Sequence, residues 1–241
     1  MVTVVGGAKG ISGKVVSSGR GSGGRSSQRD SRNGDIVRRL VKEVMGLWCD
    51  VYRPSELEDV VLSEENRLLF QAFLDKKEIP HLLLYGGSGT GKTTIARILV
   101  RELDAECLEL NASYERGIDT VRDKVKVFLM TQSIKPWKIV FFDEGDAMTS
   151  QAQFVLRNLM EKFSGHARLI FSANYVEKII DPIRSRFQVV HFEEVPVQVQ
   201  VQLLQKVLDA EGVEYKVDDV LKLIEDCQGD MRRSINEAQK L

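Results

Sequence analysis

From Trp48 onward, short apolar runs alternate with longer amphipathic stretches. The runs are Leu82–Tyr85, Cys107–Leu110, Ile139–Phe142, Leu169–Phe171 and Val189–Phe192. Each is too short for a helix and apolar at successive positions, which predicts strands buried on both faces. The stretches between them predict crossover helices. Together they predict an α/β fold with a doubly wound parallel sheet. After Pro196 only helical spacing remains, over Val197–Glu211, Val217–Cys227 and Asp230–Leu241. These three helices form a small helical lid domain. Asp35–Met45 also places Ile36, Val37, Leu40, Val41, Val44 and Met45 at helical spacing.

Composition changes the picture only at the start. The first 34 residues hold nine glycines, seven serines and six Lys or Arg against one acid, Asp30. Such a segment cannot bury enough apolar surface to offset its ordering entropy. The expected organisation is a disordered Gly/Ser/Arg-rich extension with a short helix over 1–45, a nucleotide-binding domain over 46–195 and the lid over 196–241. Met45, just ahead of the first motif, is a candidate start of translation. No apolar run approaches the length that spans a bilayer, so no membrane partner is expected. The net charge of −1 gives no global pull toward nucleic acid, and DNA binding would need a local patch. The three cysteines, Cys49, Cys107 and Cys227, are far apart and lack metal spacing, which suits a reducing compartment.

The strongest chemistry lies in Gly86-Gly87-Ser88-Gly89-Thr90-Gly91-Lys92-Thr93. It fits the phosphate-loop pattern G-x-x-x-x-G-K-[ST], follows a predicted strand and opens a predicted helix at Thr94. Glycines let the backbone aim N–H groups at phosphate oxygens, and the helix N-terminus adds a favourable dipole. In that role the loop binds ATP, with Lys92 on the β- and γ-phosphates and Thr93 on Mg²⁺. Ile139–Phe142 ends in Asp143-Glu144, which puts two acids at the carboxyl edge of the sheet, where ligands bind in open α/β folds. Asp143 would support the metal and Glu144 would polarise the attacking water. Asp146 reads either as a support to them or as a helix cap.

Later polar residues leave alternatives open. Asn174 follows the strand Arg168–Ser172 and either orients a lytic water or forms a turn. Arg184 and Arg186 sit in a loop before the last strand, where an arginine can stabilise transition-state charge or merely face solvent. Arg232 and Arg233 open the final helix and either reach the nucleotide or form a charged face. Arg116, Arg122, Lys124 and Lys126 are diluted by Glu115, Asp119 and Asp123 and read as a solvated helix face.

Several of these pieces carry a family resemblance. Trp48-Cys49-Asp50-Val51-Tyr52-Arg53-Pro54 is similar to the W-x-x-K-Y-R-P opening of clamp-loader AAA+ subunits. Leu110-Asn111-Ala112-Ser113-Tyr114-Glu115-Arg116-Gly117-Ile118-Asp119 nearly repeats the small-subunit signature L-N-A-S-D-E-R-G-I-D. Gly229-Asp230-Met231-Arg232-Arg233 matches as well. From Trp48 to Leu241 the chain resembles the replication factor C small-subunit family. That resemblance implies an AAA+ ATPase that uses ATP and Mg²⁺ to load a PCNA-like sliding clamp onto primer–template DNA, within a hetero-oligomer of clamp-loader subunits. It implies adenine contacts from Tyr52, Arg53 and Pro54, γ-phosphate sensing by Asn174 and Arg232, and Arg186 acting on a neighbour's ATP. It implies DNA-backbone contacts near Arg116 and Thr149, with Asn111 coupling them to Glu144. An archaeal-type cytoplasm is implied, with a nucleus as the alternative. Departures are Val51 for lysine, Arg184 for glutamine, Phe187 for cysteine and Gly145 for alanine. Family members also carry a helical collar beyond the lid, which this sequence lacks, as expected of a fragment, a split gene product or a divergent short form. Two other readings fit parts of the chain: another AAA+ DNA-remodelling ATPase, and a subunit that binds nucleotide without hydrolysing it.

Overall fold

The computed structural model describes residues 46–240. The extension and short helix expected over 1–45 lie outside the described residues. Five strands, β1 (Leu82–Gly86), β2 (Glu106–Asn111), β3 (Lys138–Asp143), β4 (Ala167–Ala173) and β5 (Gln188–Phe192), form one sheet. All pairings are parallel and the order is β2-β3-β4-β1-β5. In chain order the helices are α1 (Trp48–Val51), α2 (Glu64–Lys76), α3 (Lys92–Glu102), α4 (Ile118–Thr120), α5 (Lys126–Met130), α6 (Ser150–Phe163), α7 (Asp181–Arg184), α8 (Val197–Glu211), α9 (Val217–Asp226) and α10 (Met231–Ala238). A π-turn, Val121–Val125, joins α4 to α5.

Successive strand side chains point to opposite faces, and both faces are covered. Leu82, Leu84, Ile139, Phe141 and Ile170 pack with Phe70 of α2 and Ile95 and Leu99 of α3. Leu83, Val140, Phe142, Leu169 and Phe171 pack on the other side with Val125 and with Leu156 and Met160 of α6. Each such large side chain, fully buried, contributes about 1.5–3 kcal/mol. Gly145 depends on this packing, because a Cβ there would lie 2.6 Å from Phe171 Cδ2. The phenyl ring fills the space that the family's alanine would use.

All five predicted strands are present, each slightly longer than its apolar run because the backbone ladder continues into flanking polar residues. Lys138 is one of these. It is 1% exposed, and its Nζ donates to Thr131 Oγ1 at 2.6 Å and to the Phe128 carbonyl, which closes the C-terminal end of α5. α3 begins at Lys92, ahead of the predicted Thr94, because Gly91 at φ +96 turns the loop directly into the helix. α10 ends at Ala238, short of the predicted Leu241. The next residue, Gln239, directs its side chain to the Trp48 N–H (2.9 Å) and the Gly46 carbonyl.

The lid has a core of its own, with Val201, Leu204 and Leu208 of α8, Val220 and Ile224 of α9, and Ala238. Trp48 belongs to that core, although it stands at the head of the nucleotide-binding segment in sequence. Tyr52 Oη donates to Glu211 Oε1 at 2.6 Å and closes the same joint.

His81 stands just before β1, where its Nδ1 accepts the Leu169 N–H at 3.0 Å. Burial, with a smaller push from Arg168, lowers its pKa from 6.5 to about 4. The unfolded chain therefore takes up a proton near pH 6.5 that the folded chain refuses until about 4. Stability falls as pH drops through that window, by about 3 kcal/mol in all. His81→Gln keeps an acceptor for Leu169 without the titration. Urea midpoints should fall less steeply with acid in the variant than in the parent, and equal slopes would refute this role for His81.

Candidate active site

All five strands end on one edge of the sheet. Register pairs Gly86 with Phe192, Asn111 with Asp143, and Tyr85 with Ala173, the residue before Asn174. Gly86, Asn111, Asp143 and Asn174 therefore share that edge, as the apolar runs predict.

The phosphate loop leaves β1 at Gly86. There φ is +150°, and a Cβ would lie 2.2 Å from the Phe192 carbonyl oxygen, so only glycine fits. Thr90 Oγ1 donates to the Gly87 carbonyl at 2.9 Å and braces the loop from within. No side chain caps α3, which leaves its first N–H groups for an anion. Lys92 is buried, and its Nζ donates to the carbonyls of Gly86 (2.9 Å) and Gly87 (2.6 Å). Burial lowers its pKa, while the charges of Asp143, Asp146 and Asp230 raise it and that of Arg232 lowers it. Ser88, Gly89 and Gly91 complete the loop, and Thr94 continues α3.

The two acids at the end of β3 take separate directions. Asp143 faces α3, where its Oδ1 accepts the Thr93 hydroxyl at 3.0 Å and also the Ser172 hydroxyl. Thr93 and Asp143 thus bring together two hard oxygen donors of the kind Mg²⁺ takes. Glu144 adopts a left-handed conformation, φ +55°, rare for a residue with a side chain. Its N–H donates to Ser172 Oγ at 3.1 Å, and its carboxylate accepts the Ser113 hydroxyl. Such backbone strain, about 1–3 kcal/mol, concentrates at functional sites. It turns Glu144 away from Asp143, so one acid meets the phosphate loop and the other meets the loop after β2.

Asn111 does not touch Glu144. Its Oδ1 accepts the Ser113 N–H at 2.8 Å, and Ser113 makes the contact. Asp146 serves as an acceptor for the Asn174 N–H at 3.4 Å, tying the ends of β3 and β4. Thr149 caps α6 through its hydroxyl (3.3 Å to the Ala152 N–H) and donates its own N–H to the Arg116 carbonyl at 3.2 Å. Arg116 and Thr149 are thus neighbours, and Arg116, Arg122, Lys124 and Lys126 are exposed. Arg186 is also exposed, with its guanidinium on Glu161 and the Pro182 carbonyl, not on this chain's phosphate loop. Tyr52, Arg53 and Pro54 run beside the lid, where Arg53 pairs with Asp50 at 2.8 Å. Arg232 is exposed on α10, close enough for its charge to act on Lys92.

Sequence reasoning passed over Ser113, Ser172 and the loop contact of Asp230. Ser172 had a signal: a polar residue, 2% exposed, in an apolar strand. Ser113 had none, since its partner is 31 positions away.

A parallel sheet ending in this loop, with split acids and a helical lid, defines a P-loop nucleotide-binding protein of AAA+ architecture. Residues 82–195 match the model of the ATPase family associated with various cellular activities (AAA). Over 199 residues it is 44% identical to replication factor C small subunit 1 of Pyrobaculum islandicum, covering 80% of this chain and 60% of that protein. It is 43% identical over 200 residues to the replication factor C small subunit of Archaeoglobus fulgidus, covering 80% and 63%. The chain thus spans somewhat less than two thirds of the length of these relatives. Among solved structures, the Thermotoga maritima RuvB Holliday junction branch migration motor matches with TM-score 0.65 at 20% identity, covering 78% of this chain and 64% of that one. This likeness is one of fold. No helix among the described residues is long and apolar enough to cross a membrane.

The position of Lys92 yields a direct expectation. Lys92→Ala removes the one cation inside the loop and should weaken ATP binding by at least about a hundredfold. Fluorescent-nucleotide titration reads it, and unchanged affinity would remove Lys92 from the phosphate role.

Proposed function

We propose that this chain is an ATP-hydrolysing subunit of a clamp loader, which opens a PCNA-like sliding clamp and loads it onto primer–template DNA beside other clamp-loader subunits. The observation that carries this reading is the connection between Glu144 and the loop after β2. Ser113 holds the Glu144 carboxylate. Three residues on, the Arg116 carbonyl is tied to Thr149 at the head of α6. A phosphate backbone lying on Arg116 and Thr149 would pull on the segment that restrains Glu144. Hydrolysis would then wait for DNA. Such contacts are sequence-independent, as a loader needs.

Within the site, Lys92 and the uncapped end of α3 hold the phosphates. Thr93 and Asp143 would hold Mg²⁺, which when bound neutralises charge on the β- and γ-phosphate oxygens. Glu144 accepts the proton of the attacking water once Ser113 lets go, and Asn174 orients that water. Arg232 reaches the γ-phosphate from the lid, and Arg186 completes a neighbour's site, in keeping with its position away from its own. Tyr52, Arg53 and Pro54 border the adenine. The balanced reaction is ATP + H₂O → ADP + phosphate, and its output is a change in domain and subunit angles. Val127, Met130 and Ile134, which are 59%, 60% and 107% exposed on α5 and the loop after it, offer the clamp an apolar surface. Similarity to archaeal small subunits supports an archaeal-type cytoplasm as its setting.

Glu144→Gln tests the division of labour between the acids. It should bind ATP as the parent does while hydrolysis falls by about 10²–10⁴-fold, the range a general base supplies. Full turnover in the variant would take the base role from Glu144.

A further inference from the structure

Asp230 stands where the lid meets the phosphate loop. As the N-cap of α10, its Oδ1 accepts the Arg233 N–H at 3.2 Å, and its carbonyl accepts the Ser234 N–H (2.9 Å) and hydroxyl (3.0 Å). The other carboxylate oxygen, Oδ2, accepts the Ser88 hydroxyl at 2.7 Å. One side chain therefore holds the first turn of the lid helix and the middle of the loop together. Gly89 makes the approach possible: a Cβ there would lie 2.5 Å from Asp230 Oδ1 and 3.0 Å from the Met231 nitrogen. The turn before Asp230 is itself fixed. Gly229, at φ +75°, packs against Gln200, whose buried amide donates to the Val195 carbonyl at 2.6 Å, where the sheet domain passes into the lid.

We infer that Asp230 is a positioning residue: by joining Ser88 to the first turn of α10, it fixes where Arg232 enters the nucleotide site. The inference rests on the reading of Arg232 given above. Arg232 is two residues beyond the capped position, so a shift of α10 against the loop moves it directly. The lid thus presents the Asp230 carboxylate to the loop's outer hydroxyl.

The variants are Ser88→Ala, which removes the loop's donor and leaves the α10 cap intact, Ser88→Thr, which keeps a hydroxyl, and Arg232→Ala. In the full chain at saturating ATP, Ser88→Ala should slow single-turnover ATP hydrolysis by about tenfold, the scale of one hydrogen bond to a charged group. Added to Arg232→Ala it should cost nothing further, because both act through the same side chain. Amide hydrogen exchange over Met231–Ala238 should quicken in Ser88→Ala and return in Ser88→Thr, whatever the turnover. Unchanged exchange in Ser88→Ala overturns the bridge, as does a loss that multiplies with that of Arg232→Ala. Normal hydrolysis by Ser88→Ala beside an impaired Arg232→Ala overturns the positioning role alone. Normal hydrolysis by Arg232→Ala overturns the reading of Arg232, and the inference with it.

Discussion

The site turns on one buried cation, Lys92, and the carboxylates gathered around it. Lys92 lies inside the phosphate loop, where burial works against its proton. Three carboxylates oppose that effect, and they come from separate places: Asp143 and Asp146 from the end of β3, and Asp230 from the lid. Yet the same acids would repel a triphosphate if they faced it freely. The structure meets this conflict by occupying them. Asp143 is held by Thr93 and Ser172, Asp146 accepts the Asn174 N–H, and Asp230 is shared between Ser88 and the α10 cap.

That arrangement sends the two acids of a single dipeptide in different directions. Asp143 continues the strand and stays beside α3. Glu144 leaves it through a left-handed turn, stabilised by the bond from its N–H to Ser172, and arrives at Ser113. Gly145 then allows Phe171 to pack beneath the turn. A residue with a side chain at Gly145 would press on the Phe171 ring, so even alanine there would demand different packing under the same acids.

Much of this was legible in the chain. Buried parallel strands announce themselves as unbroken apolar runs, and all five stand where those runs lie. The phosphate loop is local, so Lys92 and Thr93 could be assigned from spacing, and Asp143-Glu144 from the strand they terminate. What could not be read depends on distant pairs. Ser113 meets Glu144, and Ser88 meets Asp230, across 31 and 142 positions. Each serine lies within a motif, Ser113 in the Leu110–Asp119 run and Ser88 in the phosphate loop, but neither motif names its partner. Asn111 drew attention because it belongs to a family signature; its Oδ1 accepts the Ser113 N–H, and Ser113 in turn meets Glu144. Trp48 was grouped by sequence order, whereas its indole follows apolar surface and joins the lid.

Chemistry in this account is local, but control is spread. The lid reaches the loop through Asp230, the loop after β2 reaches Glu144 through Ser113, and Arg186 faces away from its own site. Under the proposed function, each link would let something outside the phosphate loop decide when water attacks. The central claim is therefore that ATP hydrolysis responds to DNA and clamp. The measurement that tests it most directly is steady-state ATP hydrolysis by the full chain, alone and then with primed DNA, a PCNA-like clamp and partner clamp-loader subunits. Strong stimulation by DNA and clamp together is the predicted result. Turnover that stays flat in every combination, while ATP is still bound, would contradict it.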